Sequence, residues 1–264
     1  MFKTRLLSGI VLVIVLIVTV GYGNELLFAF TGAVSLVGLK ELYSVVGVQK
    51  RALGMAGYLA AVVYYGLLWT GNMEYMTMFS LMFLVGVMAV YVFTFPAFRS
   101  EQVMTAFFGL FYVAVMLSYV YQTRMLPDGH IVVWLIFLSS WGCDTCAYCV
   151  GVLFGRHKMA PKLSPKKSIE GGIGGIAGAA LLGVIFAFAM NRWGGASADP
   201  VHYAAICAAG GMISQIGDLA ASAIKRNHDI KDYGKLIPGH GGILDRFDSV
   251  IFTAPIIYYL ATLI

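Results

Sequence analysis

Charge is what this sequence has least of. Only 12% of its 264 residues are Asp, Glu, Lys or Arg, while 59% are apolar; an ordinary soluble domain runs near ~25% and ~45–50%. A chain of this size has too little interior to hide that surplus, and apolar surface on such a scale aggregates in water. A soluble globular protein is therefore excluded, as are a disordered chain and a nucleic-acid-binding domain of the usual charged kind. Cysteine is also sparse. Cys143, Cys146 and Cys149 lie three apart on one segment, and Cys207 is distant. That spacing admits zinc, but thiols packed inside a span fit it better. No A-x-A-type cleavage site follows the first apolar run, so that run reads as a retained helix rather than a signal peptide. No internal repeat is visible, which disfavours the repeat-built transporter folds.

What is present is hydrocarbon, at a mean hydropathy of +0.82. A bilayer core of ~30 Å needs ~20 apolar helical residues. About nine runs qualify: Leu6–Val20, Leu26–Val48, Ala52–Thr70, Tyr75–Ala97, Val103–Tyr121, Ile131–Phe154, Gly171–Met190, Tyr203–Ala223 and Phe247–Ile264. The expectation is an all-α polytopic membrane bundle with its N-terminus in the cytoplasm. Residues 1–125 would supply about five N-terminal spans, and residues 126–264 a catalytic region with two basic cytoplasmic loops. With that orientation, all but Arg124 and Arg192 of the 18 Lys and Arg fall on the inner side, Lys3 and Arg5 included. The positive-inside rule demands such a bias. The net charge of +5 is thus first a topology signal, and attraction to anionic lipid or nucleotide comes second.

Two inner connections, roughly 155–170 and 225–246, are longer than turns and basic, and length in a compact bundle usually marks function. Beside them lie ionisable residues inside apolar segments, each costing ~2.5–3.5 kcal/mol on insertion scales. Asp144 sits in the sixth run and shares a helical face with Trp141, Tyr148 and Gly151. It either glues the bundle through one interhelical hydrogen bond or points into a cytoplasm-facing cavity. In the eighth run Ser214, Gln215, Asp218, Ser222 and Lys225 form a polar stripe, which must face protein or water. The ninth opens with Asp245 and Asp248, one turn apart around Arg246. Asp218, Asp245 and Asp248 can converge at the inner boundary, with Lys225, Arg226, Lys231 and Lys235 around them. Such oxygen ligands suit Mg²⁺, which takes one or two carboxylates plus substrate phosphates. A structural salt-bridge network would use the same residues.

Between the stripe and the last span runs Pro238-Gly239-His240-Gly241-Gly242. Its glycines let backbone N–H groups approach an anion closely, although a plain re-entrant turn would look the same. Gly172-x-Gly174-x₂-Ala177 fits a loose dinucleotide fingerprint but has no strand before it and no acidic residue about twenty positions on. Gly171, Gly174, Gly175 and Gly178 instead supply small residues for close helix packing.

The run Ser222-x₂-Lys225-Arg226-x₄-Lys231-Asp232, followed by Pro238-Gly239-His240-Gly241-Gly242-x₂-Asp245-Arg246-x-Asp248, closely resembles the signature of the phosphatidate cytidylyltransferases, or CDP-diacylglycerol synthases. A second block agrees upstream: Asp144-x₂-Ala147-Tyr148-x₂-Gly151, Phe154-Gly155-Arg156 and Ser164-Pro165-Lys166-Lys167-Ser168-x-Glu170-Gly171. Together they cover roughly the second half of the chain. The first half agrees only as a hydrophobic multi-span region. The resemblance implies an inner-membrane enzyme that joins CTP and phosphatidic acid into CDP-diacylglycerol and pyrophosphate, requires Mg²⁺ (with room for a second cation), and works as a homodimer with a cytoplasm-facing cavity. It implies Asp218, Asp245 and Asp248 around metal, and Ser222, Lys225 and Arg226 around nucleotide phosphates.

Those residues suit that chemistry. A phosphate monoester with a second pKa near ~6 is largely dianionic at neutral pH and needs no strong general base. It needs relief of repulsion between two polyanions, and metal and fixed cations supply that. Lys166 and Lys167 are expected to help clamp CTP. Asp144, Lys231, Asp232 and His240 complete the expected binding set, Asp144 on a second cation or the lipid headgroup. Two other readings compete: an ion-coupled transporter, which would spread its charges through the full membrane depth, and a CTP-dependent polyprenol or phytol kinase, which would release CDP.

Overall fold

The computed structural model of the chain describes residues 2–195 and 197–263, with side chains from Leu6 onward. The side chains of Lys3 and Arg5, and residue Ile264, lie outside the described residues. Helices dominate: α1 (Phe2–Tyr22), α2 (Asn24–Val45), α3 (Ala52–Trp69), α4 (Met76–Phe93), α5 (Ser100–Arg124), α6 (Gly129–Phe154), α7 (Ile169–Trp193), α8 (Pro200–Asn227) and α9 (Leu244–Leu263). Seven of them, α2 to α8, are long and apolar enough to cross a bilayer by themselves. In α1 the apolar stretch is Leu6–Tyr22, and α9 opens on Asp245, Arg246 and Asp248. The protein is an all-α polytopic membrane protein. Leu7, Ile14 and Val18 on α1, with Met82, Val85 and Val92 on α4, are exposed, as helix faces solvated by lipid are.

Three local features were invisible in the hydropathy pattern. Helix α5 carries a π-helical stretch at Leu110–Val115 and α6 another at Leu138–Gly142, immediately before Asp144. Such insertions rotate the following side chains and concentrate at functional sites. The connection 155–170 is not an open loop: β1 (Lys158–Ala160) and β2 (Ser164–Ser168) pair antiparallel.

The chain forms two compact units. The first comprises residues 1–15, 25–118 and 232–246. Its centre is Tyr43, fully buried on α2, whose hydroxyl donates to the Ala106 carbonyl at 2.8 Å. Gly57 on α3 and Gly109 on α5 leave the space its ring fills. Tyr64 and Ser118 share a hydrogen bond of 2.6 Å, and Tyr65 and Ser35 one of 2.9 Å, so these four buried hydroxyls satisfy one another in pairs.

The second unit comprises residues 16–24, 119–231 and 247–264. Here α6, α7, α8 and the greater part of α9 pack through small residues. A Cβ at Gly175 would meet Ala147 Cβ at 2.8 Å and the Cys143 carbonyl at 3.0 Å; one at Gly183 would meet the Tyr203 carbonyl at 2.6 Å. The glycine stripe of α7 is therefore a packing device, as its spacing implied. Ser168 starts α7 by accepting the Gly171 N–H at 3.1 Å, and Asp199 starts α8 by accepting that of Val201 at 2.7 Å. Arg124 closes the end of α1 by donating from Nε to the Val20 carbonyl at 3.1 Å.

Gly175→Val should lower the stability of the detergent-solubilised protein by about 1–3 kcal/mol through overpacking. Gly66→Ala, where nothing stands within 4 Å of the new Cβ, should leave the melting midpoint unchanged or raised. Equal midpoints for the two variants would refute the packing role of the α7 glycines.

Candidate active site

Gly217 on α8 brings α9 within reach: a Cβ there would lie 2.8 Å from the Asp248 carbonyl and 3.0 Å from Phe252 Cβ. The approach sets Asp218 on α8 near Asp248 on α9. Asp248 is 8% exposed, and the charges of Asp218, Lys225 and Asp144 all bear on it. Ser249 ties the group together. Its backbone N–H donates to Asp248 Oδ1 at 2.8 Å, and its hydroxyl donates to Asp144 Oδ2 at 3.1 Å. Asp144, set by the π-helical stretch before it, thus belongs to the same cluster.

The cations come from two elements. On β2 adjacent residues point to opposite faces. Lys167 turns inward, its Nζ 2.6 Å from Asp218 Oδ2, whereas Lys166 is exposed. The hairpin holding them is anchored at its base by Glu170, which accepts the Arg156 N–H at 3.1 Å and lies 2.6 Å from His157 Nδ1. On α8 Lys225 is only 9% exposed. The polar stripe of that helix divides by depth. Gln215 donates to the Gly172 carbonyl at 2.9 Å and Ser214 to Gly211 at 3.0 Å, so both are packing polar groups. Asp218, Ser222 and Lys225 belong to the cluster, with the Ser222 hydroxyl 3.4 Å from Asp218 Oδ1. Arg226 is exposed and closes the end of α8 by donating to the Ile230 carbonyl at 3.1 Å. Lys231 and Asp232 are exposed beyond it.

Asp245 sits in the first unit with the glycine-rich loop. It is 6% exposed, and its Oδ2 accepts the N–H groups of Tyr233 at 2.8 Å and Gly242 at 2.9 Å. Gly239 and Gly241 have φ of +79° and +86°, conformations that favour glycine. His240 Nδ1 lies 2.9 Å from Ser8 Oγ, which donates to the Pro238 carbonyl at 3.0 Å. A further carboxylate enters from α2: Glu41 Oε1 accepts the Ile243 N–H at 3.0 Å and Oε2 that of Leu244 at 2.9 Å. The loop's N–H groups do approach anions closely, and those anions are the chain's own Asp245 and Glu41. Each carboxylate used this way at a helix start stabilises it by about 0.5–2 kcal/mol.

A divalent cation fits the second unit's carboxylates. Asp248 is buried with Asp144 and Asp218 half-buried beside it, and the ammonium of Lys167 already sits on Asp218. Among the described residues, no three His, Cys, Asp or Glu side chains converge closely enough to cage a metal alone. A cation held there would need further oxygen ligands, such as those of a phosphate. Sequence reasoning passed over Ser249 and Glu41. Ser249 was signalled only by standing next to Asp248, and Glu41 by being an acid, beside Lys40, within a largely apolar span.

A model described as the cytidylyltransferase family matches residues 3–264. Among curated proteins, the chain is 29% identical over 269 residues to a phosphatidate cytidylyltransferase of Staphylococcus haemolyticus, 31% over 268 residues to one of Staphylococcus epidermidis and 29% over 272 residues to one of Staphylococcus aureus. Each alignment covers 98% of this chain and 98% of the relative.

Replacing Lys167 with Met leaves the clustered carboxylates short of a cation. The thermal midpoint should fall by about 2–4 °C, the equivalent of about 1 kcal/mol for a partly exposed pair, and should recover with added Mg²⁺. Lys166→Met should do neither. An unchanged midpoint for Lys167→Met would remove the lysine from the cluster's electrostatics.

Proposed function

This chain belongs to the cytidylyltransferase family, and from that premise we propose that it joins CTP to phosphatidate, giving CDP-diacylglycerol and pyrophosphate. The observation that carries the reading is the packing of Asp144, Asp218 and Asp248 against Lys167 and Lys225 at the junction of α6, α8, α9 and the basic hairpin. One substrate is a water-soluble polyanion and the other a membrane-anchored one. A cluster of mixed charge, carried on apolar helices at the end of α8 and the start of α9, is suited to both.

In the proposed reaction a phosphatidate oxygen, already deprotonated at neutral pH, attacks the α-phosphorus of CTP. The new P–O bond forms as the bond to the β-phosphate breaks, and its electron pair leaves with pyrophosphate. Lys167 and Lys225 would hold the phosphates and offset the charge that grows on the departing group. Ser222 would orient them, and Arg226, Lys166 and Lys231, on the exposed rim, would draw CTP in from solution. Asp218 and Asp248, with Asp144 beside them, would hold Mg²⁺, which would neutralise phosphate charge that lysines alone leave uncovered. Asp245, which holds the glycine loop, and His240, which belongs to it, would act through that loop, with Asp232 before it.

The inner-side concentration of Lys and Arg supports a site facing the cytoplasm, where CTP is dissolved. A homodimer in the inner membrane completes the proposal and rests on the family resemblance alone.

Purified protein incubated with CTP, phosphatidate and Mg²⁺ should yield CDP-diacylglycerol and pyrophosphate in equal amounts. Release of CDP with a phosphorylated lipid alcohol would replace the reading with a kinase. Asp248→Asn should reduce turnover at least ~10²-fold, the scale on which transition-state charge stabilisation is lost. Normal turnover with intact fold would remove Asp248 from the cation site.

A further inference from the structure

We propose that Glu41 is a positioning residue for nucleotidyl transfer: the α2 carboxylate is the anion that the glycine-rich loop is shaped to hold, and through it α2 fixes the start of α9. The inference rests on the proposed role of Asp248 in binding the catalytic cation.

The first turn of a helix has N–H groups with no partner inside the helix, and its dipole makes that end attractive to an anion. In α9 those of Ile243 and Leu244 are taken by the two oxygens of one carboxylate lying more than 200 positions earlier in the chain. Glu41 is 8% exposed. The space it occupies exists because two neighbours lack side chains: a Cβ on either Gly234 or Gly242 would overlap its carboxyl group. Asp245 takes the adjoining N–H of Gly242 and that of Tyr233. Three consecutive N–H groups, those of residues 242 to 244, are therefore bound by two carboxylates of the protein. A loop already filled in this way is a clamp on its own helix.

What the clamp controls follows from covalent continuity. Asp248 lies one turn beyond Asp245 on α9, and a helix whose first turn is fixed carries the next turn rigidly. Metal and phosphate contacts tolerate errors of only about 0.5 Å. Glu41 thus reaches the reaction through Asp248, without touching substrate.

The test compares wild type, Glu41→Gln and Glu41→Asp, purified in the same detergent. The amide of Glu41→Gln sets NH₂ donors against backbone donors, whereas Glu41→Asp keeps the charge at a shorter reach. Turnover, the Mg²⁺ concentration for half-maximal rate and KM for phosphatidate are measured, together with hydrogen–deuterium exchange across the chain in the absence of substrate. A displacement of about 1 Å at a reacting group, caused by a change far from the chemistry, can cost ~10²-fold. Glu41→Gln should therefore lower kcat at least ~10-fold and raise the Mg²⁺ requirement, leave KM for phosphatidate unchanged, and speed exchange selectively in residues 233–246. Glu41→Asp should recover part of each change. Unchanged exchange in 233–246 overturns the clamp, and so does uniformly faster exchange, which marks general destabilisation. Selective exchange with wild-type kcat and Mg²⁺ requirement overturns the catalytic role. If wild type itself makes no CDP-diacylglycerol, the transfer reading fails, and with it the positioning role; the exchange data then decide only whether Glu41 holds the loop.

Discussion

A carboxylate carried on a membrane helix has to be given a partner, and the solutions used here account for most of the architecture around the site. Glu41 and Asp245 are satisfied by backbone N–H groups at the start of α9. Asp144 takes a hydroxyl from Ser249, and Asp218 takes the ammonium of Lys167. The two kinds of partner have different consequences. A backbone cap is permanent and fixes geometry. A lysine side chain is a movable counter-charge: a divalent cation can compete with it for the carboxylate, and a phosphate can compete for the lysine. Acids of the first kind are held as scaffold, and those of the second kind keep a partner that can be displaced.

Glycine makes the second arrangement possible. Bulky residues at helix crossings would hold α8 and α9 too far apart for Asp218 and Asp248 to sense one another; the missing Cβ of Gly217 removes that barrier. The same device recurs on α7, where Gly175 lies against Ala147 and Cys143 of α6. Close packing of this kind is nearly incompressible, so a side chain placed on it is held to a narrow range of positions. The thiols of Cys143 and Cys207 are buried within this packing.

Hydropathy made the helices legible because lipid imposes a length and a composition on every span. The cluster itself was also readable, since ionisable residues in apolar segments are too costly to be incidental. Other parts needed the fold. Lys166 and Lys167 are equivalent in sequence, and only a strand, unforeseen in this chain, sends one inward and leaves the other outside. The N–H groups at the end of the glycine loop do meet anions, but these are Asp245 and Glu41 of the chain itself, and Glu41 arrives from α2. A local pattern carries no information about a partner more than 200 residues away. Asp245 and Asp248, paired by spacing, are similarly separated by their partners: one has two N–H groups on a single oxygen, and the other has charges of both signs around it.

The basic residues show how one composition can answer two demands. The positive-inside rule counts every inner Lys and Arg alike, because it concerns which side of the membrane a segment reaches. Burial then divides them. Lys166, Arg226 and Lys231 are exposed, and a charge surrounded by water is screened over about 8–10 Å, so their fields are weak at the buried carboxylates. Lys225 is almost fully enclosed and Lys167 about three-quarters so, each near acids where the effective dielectric is low and its charge acts strongly. An exposed lysine can be exchanged for another cation with little effect. An enclosed one cannot, since its removal leaves carboxylates facing one another without compensation. The many exposed cations can thus serve topology, while the few that are buried compensate the clustered carboxylates.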